Sequence, residues 1–258
     1  MTADKTNVKP LSRNSVRFEL VHLIFNPINE NYLAVAGYEE CQILIFSSRG
    51  EVTDHLAIEL SLQGAYIRQI AWLPGSKVQL MVVTNKFVKI YDLSQDNISP
   101  MHYFTLLEDS IIDAVLVPIL RGWLVLIVLS QHGMLYRQQI GVEGYTGAQV
   151  LTETIHVQGR EVQSKGISLC FTTDYRLLFL SYHDGSTLIG QLNPEGTCIS
   201  EVSSVLEGDQ DGQLRPAGLH HWKELLDGSG LFVCLSSLKS NSPLTVSLGP
   251  TELSAQLL

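Results

Sequence analysis

The sequence is poor in charge. Asp, Glu, Lys and Arg make up 17% of its 258 residues, against 45% apolar; a soluble domain usually carries about 25% charge. Disorder requires the opposite balance, which excludes it. Helical periodicity is missing as well: no stretch of 12 or more residues repeats its apolar positions at helical spacing, so little helix is expected. Cysteine is scarce. Cys41, Cys170, Cys198 and Cys234 lie no closer than 28 positions apart, with no CxxC pair. That spacing excludes zinc-finger and dithiol sites and predicts free, buried thiols. Basic clusters are absent too. With 17 Lys and Arg against 26 Asp and Glu, the net charge is −9, which argues against a nucleic-acid face and favours basic partners over anionic membranes. The opening Met-Thr-Ala-Asp-Lys has no apolar run of the secretory type. An intracellular protein, cytoplasmic or nuclear, is the expectation.

What is present is a cadence. A strongly apolar strand returns five times, at Tyr32 to Gly37, Leu80 to Thr84, Trp123 to Ser130, Leu177 to Tyr182 and Leu231 to Ser236, every roughly 45 to 55 residues, the interval of a four-stranded propeller blade. Each return is flanked by turn signals: Asn26-Pro27, Pro74-Gly75, Asn85-Lys86, His132-Gly133 and His183-Asp184-Gly185, whose Asp-Gly suggests a type I′ turn. Leu56, Ile58 and Leu60 alternate with polar residues, as in a half-exposed outer strand. Such a unit cannot bury both sheet faces alone and must stack on its neighbours.

The predicted fold is therefore all-β, a WD-repeat-like β-propeller of about five degenerate four-stranded blades. The blades fall near 16–62, 66–107, 111–156, 166–205 and 217–258, after a polar extension over 1–15. Uneven spacing and a last blade cut after Pro250 predict an incomplete ring. Ile111 to Ser130 is long enough to span a bilayer, but it holds Asp113, Pro118, Arg121 and Gly122. An arginine near mid-span costs about 2.5 kcal/mol or more, so two strands joined by a turn at Pro118 to Gly122 are expected instead.

One third strand ends in an aromatic-Asp pair, Tyr91-Asp92; the others end in Phe46-Ser47, Gln138-Gln139, Gln191-Leu192 and Ser247-Leu248, and Gly-His is absent. Apolar packing, more than the usual hydrogen-bond network, is expected to hold the blades. The run Phe87-Val88-Lys89-Ile90-Tyr91-Asp92-Leu93-Ser94-Gln95-Asp96-Asn97-Ile98-Ser99-Pro100, continued by His102-Tyr103-Phe104, resembles a segment of the giant calossin/Pushover/BIG family. Phe87, Tyr91, Asp92, Gln95, Asp96, Asn97 and Pro100 carry the resemblance as structural positions. It implies the propeller region of a calmodulin-associated N-recognin ubiquitin ligase: a non-catalytic scaffold that positions substrates or partner subunits in the N-degron pathway while ubiquitin is transferred elsewhere. Its partners would be other proteins, including neighbouring regions or subunits of the parent assembly, without nucleic acid or membrane insertion. Zinc is implied for other parts of such a parent and not here, where the Cys/His clusters of the UBR box and the ligase module are missing. Calmodulin follows from the resemblance alone and not through this segment, which has no basic amphipathic helix. The rival readings are a scaffold propeller of an RNA-processing or trafficking assembly and, further off, a propeller hydrolase.

No catalytic, cofactor or metal residue is assigned. Ser181, His183 and Asp184 invite a triad, but all three lie in one hairpin, with Ser181 and His183 expected on one face and Asp184 in the turn. His220 and His221 are neighbours on a strand and cannot chelate together. Gly228-Ser229-Gly230 lacks a phosphate loop's lysine, and Asp209 with Asp211 lacks the bidentate Glu of a calcium loop. Asn97-Ile98-Ser99 matches a glycosylation sequon, which carries meaning only with secretion. Trp72, Trp123 and Trp222 are expected at strand ends, in core packing.

Overall fold

A computed structural model describes residues 13–60, 64–119, 123–140, 152–157, 164–173, 176–184, 186–206, 220–224, 231–236, 244–248 and 253–257, the strands from 201 on by their backbone. Every regular element among them is a strand. The chain divides into two compact units, Met1–Phe104 and Thr105–Leu258.

The first unit holds two antiparallel meanders. One contains β1 (His22–Phe25), β2 (Tyr32–Ala36), β3 (Cys41–Phe46) and β4 (Val52–Ala57); the other contains β5 (Ile67–Trp72), β6 (Gln79–Thr84), β7 (Phe87–Asp92) and β8 (His102–Thr105). Their facing sides form one core. Ala34, Ala36 and Ile43 pack with Ile67, Ile70, Trp72, Leu80, Val82 and Tyr91. Alanines on β2 let the sheets approach, and large side chains on β5 and β6 fill the gap. The Trp72 indole N–H donates to the Ile24 carbonyl at 3.1 Å, so the polar edge of this buried ring is satisfied. Asn26, fully buried, starts the β1–β2 turn as expected. Its Oδ1 accepts from the Ile28 and Asn29 N–H groups, and its Nδ2 donates to the Ser76 carbonyl.

The second unit contains β9 (Ile111–Pro118), β10 (Leu124–Ser130), β11 (Leu135–Ile140) and β12 (Glu153–Thr154) in one sheet. A second sheet joins β13 (His156–Val157), β14 (Gly166–Thr172), β15 (Leu177–Tyr182), β16 (Thr187–Leu192) and β17 (Cys198–Leu206). A third joins β18 (His220–Glu224), β19 (Leu231–Ser236), β20 (Leu244–Leu248) and β21 (Leu253–Leu257). All seven residues of β10 are buried, which explains the membrane-like run: β10 is covered on both faces and pairs antiparallel with β9. No helix among the described residues is long and apolar enough to cross a membrane. The short β13 has no counterpart in the sequence cadence. It pairs in parallel with the outermost strand β17, His156 opposite Cys198, making this sheet five-stranded.

The five second strands stand within one or two residues of their expected places. Two local expectations are corrected. Trp222 lies in the middle of β18, not at a strand end. The β15–β16 connection is not a two-residue type I′ turn: the Tyr182 N–H donates to the Ser186 carbonyl at 2.9 Å across three residues. Among the described non-glycine residues it is Arg176, not Asp184, that has a positive φ. Asp184 instead turns its carboxylate back to the Ser186 N–H and hydroxyl. The expectations at Asp209, Asp211, Gly228-Ser229-Gly230, Arg121 to Gly122 and residues 1–12 fall outside the described residues.

Candidate functional site

The aromatic-Asp strand forms a clamp. Residues 57 to 60, the last residue of β4 and the three that follow it, run from the first sheet and are caught by the second. The Tyr91 hydroxyl donates to the Glu59 carbonyl at 2.9 Å, and Lys89 Nζ to the Leu60 carbonyl at 2.7 Å. Asn97 Nδ2 donates to the Ala57 carbonyl at 2.7 Å, and the Glu59 N–H returns a bond to the Asn97 carbonyl at 3.1 Å. Ile58 donates back to Cys41 of β3 at 2.9 Å and buries its side chain, as does Leu60. The alternation at Leu56, Ile58 and Leu60 is real, although the strand itself stops at Ala57.

The loop bearing Asn97 is shaped by two aspartates. Asp92 Oδ1 accepts from the Ser94 N–H and hydroxyl, and Oδ2 from Gln79. The Gln95 and Asp96 N–H groups both donate to the Asp92 carbonyl. Asp96 then accepts from Ile98 and Ser99. These bonds fix Asn97 where it can reach β4, with Phe87 buried beneath a tilted contact to Tyr103. Of the seven resemblance positions, Tyr91, Asp92, Gln95, Asp96 and Asn97 thus belong to one bonded arrangement. Phe87 packs beside it, and Pro100 follows the loop.

Charge chemistry here is muted. Burial raises the Tyr91 hydroxyl above its ordinary range, with Cys41 and Glu59 adding to it. Burial also pushes the Cys41 thiol up to about 12, so it is a packed thiol and not a nucleophile. Burial lowers Lys89, against the pull of Glu59. A shallow hollow of about 320 Å³ opens beside the clamp, rimmed by Glu39, Glu40 and Glu59 over Cys41 and Leu60. It offers carboxylates at the rim and no base-nucleophile pair.

A second arrangement repeats. In three sheets the residue just after the second strand donates its N–H to the residue just before the first: Asn85 to Tyr66 at 3.2 Å, Gln131 to Ser110 at 2.8 Å and His183 to Lys165 at 2.8 Å. In the same three sheets the first strand bulges beside that bond, at Arg68, Ile112 and Ile167. Side chains reinforce two of these staples. Asn85 Oδ1 accepts from the Tyr66 N–H. Asp109 accepts from Ser110 and lies 2.9 Å from His132 Nδ1. Staples also cross between neighbouring sheets of one unit: Ile67 donates to Tyr38, and Gly166 to Gln131. Gly166 is required there, since a Cβ would lie 2.7 Å from the Ser130 carbonyl oxygen. Main-chain staples thus accompany the apolar packing, in the sheet that carries Tyr91-Asp92 and in two that lack an aromatic-Asp pair.

The residues considered for catalysis do not converge. Ser181 is buried against Thr187 at 3.1 Å, His183 is exposed, and Asp184 caps its own loop. His220 and His221 hold successive register positions in β18. Among the described residues no three His, Cys, Asp or Glu come together as metal ligands. Cys41, Cys170 and Cys198 form no disulfide; Cys41 is buried, and the other two are half-buried.

Five sheets built on four-stranded antiparallel meanders, one of them with an added parallel strand, and no helix among the described residues define a WD-repeat-like β-propeller fold. The crystal structure of the Cps50 (Swd1) β-propeller domain of Myceliophteria thermophila matches with a TM-score of 0.64 at 13% identity, over 94% of this chain and 72% of that one. Kluyveromyces lactis Hsv2 matches with a TM-score of 0.57 at 10% identity, over 88% and 62%. No family model matches the chain.

Whole-sequence similarity narrows the class. The chain is 63% identical to auxin transport protein BIG of Oryza sativa subsp. japonica over 99% of its length. It is 39% identical over 77% of its length to a probable E3 ubiquitin-protein ligase of Dictyostelium discoideum, and 27% identical over 98% to protein purity of essence of Drosophila pseudoobscura pseudoobscura. The chain belongs to the calossin/Pushover/BIG family. It spans 5%, 3% and 5% of the length of these three relatives.

Proposed function

We propose that this chain is a non-catalytic interaction scaffold which positions substrates or partner subunits for ubiquitin transfer carried out by other parts of the relatives it matches. The carrying observation is the 39% identity to a protein described as a probable E3 ubiquitin-protein ligase, of which this chain spans 3%. Stacked sheets offer rigid loops for binding, and the acidic hollow at Glu39, Glu40 and Glu59 suits partners with basic side chains. An N-degron role rests on the family resemblance alone. The test is competition. Excess purified chain is added to a ubiquitination reaction of a full-length relative with a protein substrate. Substrate modification should fall while discharge of ubiquitin to free lysine is unchanged; equal loss of both, or of neither, overturns the reading.

A second reading has its own support. The rice relative is named for auxin transport, which fits a scaffold in a trafficking assembly. In that case the competition experiment leaves substrate modification untouched.

A further inference from the structure

We propose that Ser99 is a phosphorylation site for a proline-directed protein kinase, and that its modification opens the clamp on residues 57 to 60. Ser99 is exposed and precedes Pro100 in the loop between β7 and β8. That loop is not a passive connection. Asn97, two residues earlier, holds the Ala57 carbonyl through its side chain and the Glu59 N–H through its own carbonyl. Its position depends on Asp96, whose carboxylate accepts from the Ile98 and Ser99 N–H groups.

The kinase would direct Ser99 Oγ onto the γ-phosphorus of ATP. An Oγ–P bond forms, and the bond to the β–γ bridging oxygen breaks. ADP leaves with that electron pair, and the hydroxyl proton passes to the kinase. The product carries a charge of about −1.5 to −2 at pH 7. That charge stands on the residue whose own N–H binds the Asp96 carboxylate, which brings two anions together in one turn. The turn over 96–99 must open, and Asn97 moves with it, releasing two of the bonds that hold the segment after β4.

The sequence has a second Ser-Pro pair, Ser242-Pro243, so the phosphate must be located and not merely counted. The purified chain is incubated with a proline-directed kinase and Mg-ATP and mapped by tandem mass spectrometry, and amide exchange is followed at Glu59. Phosphate should appear at Ser99 and be absent from Ser99→Ala. Exchange at Glu59 should be about tenfold faster in the phosphorylated chain, corresponding to the loss of about one net hydrogen bond, and changed less than twofold in unphosphorylated Ser99→Ala. A folded chain left unmodified at Ser99, whether or not a synthetic peptide of residues 92–105 is modified, overturns the site. Modification without faster exchange at Glu59 overturns the opening of the clamp.

Discussion

The Tyr91 hydroxyl donates to the Glu59 carbonyl at 2.9 Å. The two residues are 32 positions apart and lie on different sides of a sheet-to-sheet crossing. An aromatic-Asp pair that looks like a local signature in the sequence therefore works at long range.

Replacing Tyr91 with Phe should cost about 1 kcal/mol, because it leaves a partly buried carbonyl without a donor. Asn97→Ala should cost a similar amount. Since both hold residues 57 to 60, the double variant should lose measurably less than the sum. Urea unfolding of the four proteins checks this; strict additivity would mean the two contacts act independently.

Val82 is fully buried between Ile70 on β5 and Lys89 on β7. The Lys89 ammonium is already committed to the Leu60 carbonyl. Val82→Asp would bury a charge without a free partner, costing about 3 kcal/mol or more. Insoluble or unfolded protein is the expected outcome by circular dichroism. A loss below about 1 kcal/mol would contradict the burial of β6.

Arg176 has a φ of 55°, and its guanidinium bridges the Pro118 and Asn193 carbonyls at 3.0 and 3.1 Å. Arg176→Ala removes both bonds and keeps the left-handed backbone. Arg176→Gly removes the same bonds but fits that backbone, so it should be about 1 kcal/mol more stable than the alanine variant. Equal melting curves would show that the conformation there is unstrained.

Three carboxylates make stability fall in acid. For Asp92 and Asp109 burial raises the carboxyl, and hydrogen bonds more than reverse it: from Ser94 and Gln79 in the first case, from Ser130, His132 and Ser110 in the second. Asp96 is held low by the Ile98 N–H and by Ser99. A depressed carboxyl binds fewer protons folded than unfolded, so its contribution is present above the unfolded value near 4 and is lost as pH falls through the folded one. Melting temperature should therefore drop between about pH 4 and pH 2, and by less in Asp92→Asn. A wild-type drop no larger than the variant's would contradict the Asp92 network.

The apolar second strands were legible because burial on both faces forces a continuous apolar run, and β10 is the extreme case. Three features were not. The staples at Asn85, Gln131 and His183 use backbone atoms, which every residue has, so no side-chain motif marks them. The bulges at Arg68, Ile112 and Ile167 carry arginine once and isoleucine twice, and isoleucine is common throughout these strands. The strand β13 is two residues long, too short to show a period. In the clamp Tyr91 and Asp92 stood out, but what Tyr91, Lys89 and Asn97 hold did not, because the acceptors are the main-chain carbonyls of Glu59, Leu60 and Ala57.

The scaffold role is tested most directly by deleting the stretch equivalent to residues 16–258 from a full-length ligase relative. Two rates are then compared in purified intact and deleted protein: discharge of ubiquitin from its conjugating enzyme to free lysine, and transfer to a folded substrate. The scaffold account predicts that discharge stays within about twofold while substrate transfer falls at least tenfold, a change of about 1.4 kcal/mol in the barrier. If both rates collapse together, this segment belongs to the catalytic machinery; if substrate transfer is unchanged, it does not position substrates. Either result contradicts the account.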